Sequence, residues 1–258
     1  MVAAKEQGKF LIAFDPLDGS SNIDCNVTVG TIFAIWLKDP STGKATQKDF
    51  FQTGRQIFAA GYCIYGTATQ FILAFNNEVN LFTQGDNLGD FILTHPKIRV
   101  KDSFNVYSIN EGNEKKWHPP VKEFIKDKKH PEKGKTAYSL RYIGSMVGDV
   151  HRTLLYGGIF MYPADTASPK GKLRVLYECI PLSYVMECAG GLAHDGENDI
   201  LDILPNNIHQ RTGIIMGSKH DVEECRQYHK KFGGQPAPGV TAGGQPPKEE
   251  KKPEEPKA

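Results

Sequence analysis

Two apolar rhythms divide the chain. Short runs dense in β-branched and aromatic residues predict strands at Lys9–Phe14 (KFLIAF), Asn26–Leu37 (NVTVGTIFAIWL), Ile57–Tyr65, Phe71–Phe75 and Val79–Thr83, with Asn76-Asn77 as the turn between the last two. Asp15-Pro16 closes the first run. Beyond residue 98 the spacing changes. Val121, Phe124 and Ile125 recur at helical intervals in Pro119–Lys129, whose closing lysines suit the helix dipole. Ser145–Tyr156 reads as a second helix stopped by Gly157-Gly158, with a strand at Ile159–Tyr162 after it. Leu173–Ala189 reads as a third helix, kinked at Pro181 and stopped by Gly190-Gly191. A strand at Gly213–Gly217 leads into a helix over Asp221–Phe232. Strands dominate first and then alternate with helices, which predicts two packed α/β subdomains over residues 5–97 and 98–232.

The pattern ends at residue 233. Residues 233–258 (GGQPAPGVTAGGQPPKEEKKPEEPKA) hold no aromatic side chain and too little apolar surface to offset ordering entropy, so a disordered tail is expected. Its Lys/Glu block is balanced in sign and reads as solvated. The same balance holds for all 258 residues, with 31 Lys+Arg against 30 Asp+Glu and a net charge of +1. This argues against a general nucleic-acid or membrane-surface binder, which would carry a basic excess. No apolar run nears the roughly 20 residues of a membrane span, and the start lacks the apolar core of a secretory signal. Cys25, Cys63, Cys179, Cys188 and Cys225 are odd in number, scattered and free of any C-x-x-C, so neither a disulfide framework nor a zinc site is expected. A reducing, cytoplasmic setting follows as the default.

The chemistry concentrates in Phe14–Asp24 (FDPLDGSSNID). Asp15 leaves the strand at its C-terminal edge, Pro16 stiffens the turn, and Asp18 follows three residues on, so two carboxylates can converge on a hard cation such as Mg²⁺. Gly19 allows close backbone approach, and Ser20 and Ser21 can cap a short helix start that would accept an anion. Cation ligands beside an anion cradle are what metal-assisted phosphate-ester hydrolysis needs. Asp-Pro and Asp-Gly are also ordinary turn formers and Ser-Ser an ordinary cap, so D-P-x-D-G alone fits a plain turn equally well.

The whole string is more specific. DPLDGSSNID resembles the metal signature of the inositol-monophosphatase-like phosphatases, and its continuation DCNVTVGTIFAIW resembles the fructose-1,6-bisphosphatase family. The likeness recurs in order at YSINEG (107–112), RYIGSMVGDVHRTLLYGGIFMYP (141–163), GKLRVLYE (171–178) and IHQRTGIIMGS (208–218), and spans about residues 9–220. It implies a layered α/β sandwich of two subdomains with the site between them. It also implies hydrolysis of the 1-phosphate of D-fructose 1,6-bisphosphate in gluconeogenesis, in a cytosolic homo-oligomer that is a tetramer in the family. By that resemblance Asp15, Asp18, Glu178 and the Leu17 carbonyl hold Mg²⁺, while Gly19, Ser20 and Ser21 surround the 1-phosphate. Asn110, Arg141, Tyr142, Tyr162 and Lys172 contact the sugar and 6-phosphate, the Arg141 position reaching across a subunit interface, and Met146 and Arg174 also fall at active-site positions. Read without the resemblance, Glu178 is a surface glutamate and the two tyrosines are packing residues. His151 and His194 are set aside as acid/base groups.

The chain also departs from the family pattern. The family carries a large N-terminal region, with an acidic pair that completes its metal cluster, ahead of the strand that here begins at Lys9. The expectation is therefore an N-terminally truncated sandwich with an exposed, adhesive sheet face, and little or no phosphatase activity in the chain alone. Phe10 replaces a tyrosine and Leu37 an arginine of the family's AMP site, so AMP regulation is not expected. Asn113 replaces an aromatic residue near the 6-phosphate. The stretch 37–61 lacks the cysteine-bearing insertion of the plastid form, which favours the cytosolic type. Two alternatives stand beside the leading reading: sedoheptulose-1,7-bisphosphatase, or a non-catalytic homologue that binds sugar bisphosphate or joins a family oligomer.

Overall fold

Strict alternation along Val29–Leu37 buries Gly30, Ile32, Ala34 and Trp36 and leaves the residues between them half-exposed. In the computed structural model, which describes residues 8–41, 43–85 and 89–233, this strand is the second of six. The six are β1 (Phe10–Asp18), β2 (Val29–Leu37), β3 (Ile57–Tyr65), β4 (Thr69–Phe75), β5 (Glu78–Gln84) and β6 (Phe91–His95). They pair in chain order as an antiparallel meander, each strand joined to the next.

The second sheet is mixed. After β7 (Val106–Ser108) come β8 (Ser139–Leu140), β9 (Ile159–Tyr162), β10 (Leu173–Arg174), β11 (Leu192–His194), β12 (Arg211–Thr212) and β13 (Ile214–Gly217). Five of them form the order β11-β13-β9-β7-β8, with β7 parallel to both β8 and β9, while β10 and β12 pair separately. Parallel neighbours require crossovers. Helices α1 (Pro119–Lys129) and α2 (Met146–Tyr156) lie within those connections, followed by α3 (Ile180–Cys188) and α4 (Lys219–Phe232).

Alternation in the second sheet sorts its side chains between two cores. Phe160, Ile214 and Met216 join a large cluster with the inner face of the first sheet and with α2 and α3. Ile159, Met161 and Ile215 point the other way, into a cluster with Val121, Phe124 and Ile125 of α1 and Val222 and Cys225 of α4. The layers are therefore sheet, helices α2 and α3, sheet, helices α1 and α4. Helix α3 is apolar nearly all round, as a helix between two sheets must be. The outer face of the first sheet has no helix on it among the described residues, and Phe10, Ile12 and Phe14 there are 41%, 54% and 57% exposed. Phe58 bridges Phe10 and Phe75 on the same face, with ring centroids 5.3 and 5.1 Å apart.

Three elements differ from the sequence expectation. Strand β1 does not stop at Asp15-Pro16 but runs to Asp18 through a bulge: Asp15 pairs Ile32 and Asp18 pairs Gly30, so β1 holds one residue more than its partner. β1 is an edge strand, where a missing Pro16 N–H is tolerated. The stretch Leu173–Ala189 is not one kinked helix. It begins as β10, widens into a π-helical turn over Val175–Cys179, and becomes α3 only at Ile180, with the donorless Pro181 in the opening turn of α3. β6, whose five residues are all exposed, lacks the alternation that would have marked it.

Candidate metal and phosphate site

The bulge shapes the acidic turn. Leu17 N–H donates to the Asp15 carboxylate at 3.0 Å, and the Thr31 hydroxyl donates to the Pro16 carbonyl at 2.9 Å, so the extra residue is held from both sides. Gly19 then adopts φ +80° and opens a 3-10 turn over Ser20–Asn22. A Cβ at Gly19 would lie 2.6 Å from the Ser145 hydroxyl, so this position needs glycine for both backbone angle and space. Asp18 is 9% exposed and accepts the backbone N–H of Val147, in the first turn of α2, at 2.8 Å.

Glu178 arrives from the far side. It sits on the π-helical turn, and one of its carboxylate oxygens accepts Arg174 N–H at 2.6 Å. Ligand oxygens of Asp15, Asp18 and Glu178 all lie within 4.8 Å of one another. Burial, followed by the charges of Asp18 and Asp15, pushes the Glu178 carboxyl up to about 7. Burial likewise raises Asp18 to about 6, against the lowering effect of the Val147 N–H, with the Asp15 charge adding to the rise. Among the described residues no lysine or arginine forms an ion pair with any of the three. Three converging carboxylates without a cationic side chain suit a hard divalent cation, which takes carboxylate oxygens and relieves their mutual repulsion.

A second acidic group fails the same test. His220, Asp221 and Glu224 also lie within ligand distance of one another. There the buried Asp221 accepts from Ser103, Phe104 N–H and Tyr138, and Glu224 pairs with Lys128. Those carboxylates are already satisfied.

The residues expected at the sugar end divide into two groups. Asn110, Tyr162 and Lys172 line one small cleft together with Asn113 and Trp117. Tyr142 is not among the residues lining that cleft; burial, followed by the charge of Tyr162, pushes its phenol up to about 12. Burial, followed by the charges of Asp165 and Glu178, raises the Tyr162 phenol above its ordinary value. Arg141 is exposed, and its guanidinium donates to the carbonyl of Leu140 rather than entering the cleft. The Arg174 guanidinium bonds the His209 carbonyl at 3.0 Å, so it is the Arg174 backbone that touches the cluster, through Glu178. The Met146 side chain is buried in the large core. His151 faces Tyr62 at 3.0 Å, and burial lowers its pKa to about 4; His194 is fully buried.

Sequence reading missed Val147, Ser145, Thr31 and Asn22, whose side-chain amide donates to the Gly144 carbonyl. A helix starting near Ser145 was legible, but its convergence with a turn more than 120 residues earlier was not.

Comparison with known proteins bears directly on this geometry. Residues 1–96 match the family model described as fructose-1-6-bisphosphatase, N-terminal domain, and residues 100–230 match the corresponding C-terminal domain. Fructose-1,6-bisphosphatase 1 of Mus musculus is 50% identical over 231 residues, covering 90% of this chain and 68% of its own length. For the Rattus norvegicus protein of that name the figures are 51%, 90% and 63%, and for the cytosolic fructose-1,6-bisphosphatase of Arabidopsis thaliana 51%, 87% and 66%. The chain thus spans 63% to 68% of the length of these relatives. Apo fructose-1,6-bisphosphatase of Leishmania major superposes with a TM-score of 0.84 at 45% identity, covering 88% of this chain and 74% of that one.

Proposed function

Because the chain belongs to the fructose-1,6-bisphosphatase family, we propose that its site removes the 1-phosphate of D-fructose 1,6-bisphosphate with Mg²⁺, yielding fructose 6-phosphate and phosphate. The observation that carries the reading is the meeting of Asp15, Asp18 and Glu178 within 4.8 Å, with no lysine or arginine paired to them among the described residues. Those three, with the Leu17 carbonyl, would hold the ion. Bound there, Mg²⁺ supplies positive charge to the phosphoryl oxygens and lowers the pKa of a coordinated water.

The protein's own groups do the rest. Gly19, Ser20 and Ser21 let the transferring phosphate approach backbone and hydroxyl donors. Val147 N–H holds Asp18 in its ligand orientation and opposes its protonation. Lys172, Asn110 and Tyr162 receive the far phosphate and the sugar hydroxyls, with Tyr142 assigned to the same end. Burial and the neighbouring carboxylates favour the protonated form of Glu178, and a bound cation would favour the charged form. Arg141 is exposed, with its guanidinium held on the adjacent Leu140 carbonyl, and would serve a neighbouring subunit in a homotetramer. The cytosolic relatives support a cytoplasmic setting, and among the described residues no helix is long and apolar enough to cross a membrane. The exposed Leu37 and Phe10 give a nucleotide phosphate no cation of their own, so AMP control is not part of this reading.

Phosphate release from fructose 1,6-bisphosphate with Mg²⁺, beside the same assay on sedoheptulose 1,7-bisphosphate, tests the proposal. Release that favours the fructose ester and vanishes on chelation supports this reading and overturns the expectation, drawn above from the sequence, of little or no activity in the chain alone. Faster release from the heptulose ester would transfer the reading to that substrate. Binding without release would leave the non-catalytic homologue.

A further inference from the structure

Asp149 is fully buried in α2, yet it belongs to neither the acidic cluster nor the cleft. Its carboxylate accepts the Ser108 hydroxyl at 2.9 Å, the backbone N–H of Ile143 at 2.9 and 3.2 Å, and the backbone N–H of Gly144 at 3.0 Å. Arg152 closes the arrangement: its guanidinium donates to Asp149 at 2.9 Å and to the Arg141 carbonyl at 2.8 Å. A buried carboxylate is expensive unless its oxygens are well supplied with donors. Here the donors come from three separate segments.

Each segment leads to the sugar end. Ser108 precedes Asn110 by two residues at the end of β7. Ile143 and Gly144 directly follow Arg141 and Tyr142, and Arg141 N–H pairs with the Tyr107 carbonyl at 2.9 Å. The turn also reaches the acidic loop, since the Gly144 carbonyl accepts the Asn22 amide at 3.0 Å. Gly144 has φ +86°, a left-handed conformation that glycine adopts without strain and that lets both N–H groups of the turn aim at Asp149.

We propose that Asp149, locked by Arg152, is the positioning residue of the sugar end: it fixes the Arg141–Gly144 turn against β7, and so sets where Arg141, Tyr142 and Asn110 stand relative to the Ser20–Asn22 turn. It touches no substrate and acts through these residues. The proposal rests on the sugar-bisphosphate reading for its ligand, but not for the clamp itself.

Asp149→Asn tests it. The amide fills the same volume but turns an N–H₂ group toward a site occupied only by donors. Three readouts are taken on the full chain: hydrogen exchange of the 141–145 amides, calorimetric affinity for fructose 1,6-bisphosphate, and Mn²⁺ binding by electron paramagnetic resonance. Exchange at Ile143 and Gly144 should accelerate about 100-fold, the sugar-bisphosphate Kd should rise about 10-fold or more, and the Mn²⁺ Kd should stay within about twofold. Unchanged exchange, or unchanged Kd for the bisphosphate, overturns the clamp. A loss of Mn²⁺ binding in step with the sugar would also overturn it, because general unfolding would then be the cause. If the wild-type chain bound no sugar bisphosphate, the functional reading would fall while the exchange data still decided the clamp. Should Asp149→Asn fail to fold, Arg152→Gln keeps the carboxylate and its other donors; a Kd rise of about threefold or more with Mn²⁺ binding intact is expected, and no change overturns the proposal.

Discussion

Val147 N–H donates to the Asp18 carboxylate at 2.8 Å, across 129 positions of sequence. That bond ties the edge-strand bulge of the first sheet to the opening turn of the helix layer. It gives Asp18 a partner that favours its charged form, against a burial that does not. The acidic cluster is therefore held ready for a cation and unfavourable without one.

A pH-dependent response to metal follows. The carboxyls of Asp18 and Glu178 sit at about 6 and about 7, above their ordinary values of 3.8 and 4.5. Between about pH 4.5 and 7 the folded chain holds protons that the unfolded chain has lost, so these groups withdraw stability as pH rises. A divalent cation reverses that loss. Calorimetric scans should show a larger Mg²⁺-induced rise in Tm at pH 7.5 than at pH 5.5, and Glu178→Gln should raise the metal-free Tm at pH 7.5 while abolishing the metal shift. An equal shift at both pH values would contradict the assignment.

Gly19→Ala should be severe. The new methyl would meet the Ser145 hydroxyl at 2.6 Å, at a φ of +80° that side chains rarely adopt. Strain of about 1–3 kcal/mol is expected, with phosphate release down about 100-fold. Adding Ser145→Ala removes the clash but not the backbone strain, so it should restore only part of the Tm. Full recovery of activity in the double variant would show that the backbone angle does not matter.

Lys172→Ala should separate the two ends of the substrate. Lys172 lines the cleft with Asn110 and Tyr162, away from the acidic cluster. KM for the bisphosphate should rise about 10- to 100-fold with a smaller change in kcat, as expected when a charge-assisted contact is lost. Steady-state kinetics on fructose 1-phosphate, which lacks the far phosphate, should be nearly unchanged. A matching loss on both esters would place Lys172 in the chemistry instead.

The outer sheet face should be adhesive. Ile12 and Phe14 are more than half exposed among a row of phenylalanines on the first sheet. Ile12→Thr with Phe14→Thr keeps β-branching or strand tolerance while removing apolar surface. Light scattering should show less self-association, with Tm changed by no more than about 3 °C. Undiminished association would point to another surface.

Much of this was legible along the chain. Alternation in Val29–Leu37 and the spacing of Val121, Phe124 and Ile125 marked the elements, because the side-chain period is set locally by the backbone. The Asp15-to-Ser21 run was legible as a cation and anion turn, since its ligands are neighbours on one loop. Where the reading failed, a local signal competed with a distant partner. Asp15-Pro16 looked like a strand's end, but pairing with β2 carried β1 on to Asp18. Leu173–Ala189 looked like one helix, but Leu173 and Arg174 pair with β12, leaving the π-helical turn that places Glu178.

The sequence alone therefore determined the elements and the chemical types: which faces are apolar, and which turn bears carboxylates, glycine and hydroxyls. The grouping of Glu178 with Asp15 and Asp18 came from the family resemblance and not from local pattern; only the tertiary structure decided that Val147 meets Asp18, that Arg141 and the Arg174 guanidinium stay outside the cleft, and that Asp149 gathers donors from three segments. The reason is physical. Periodicity and turn chemistry act over a few residues, whereas convergence depends on how two sheets and the helices between them bury their faces together.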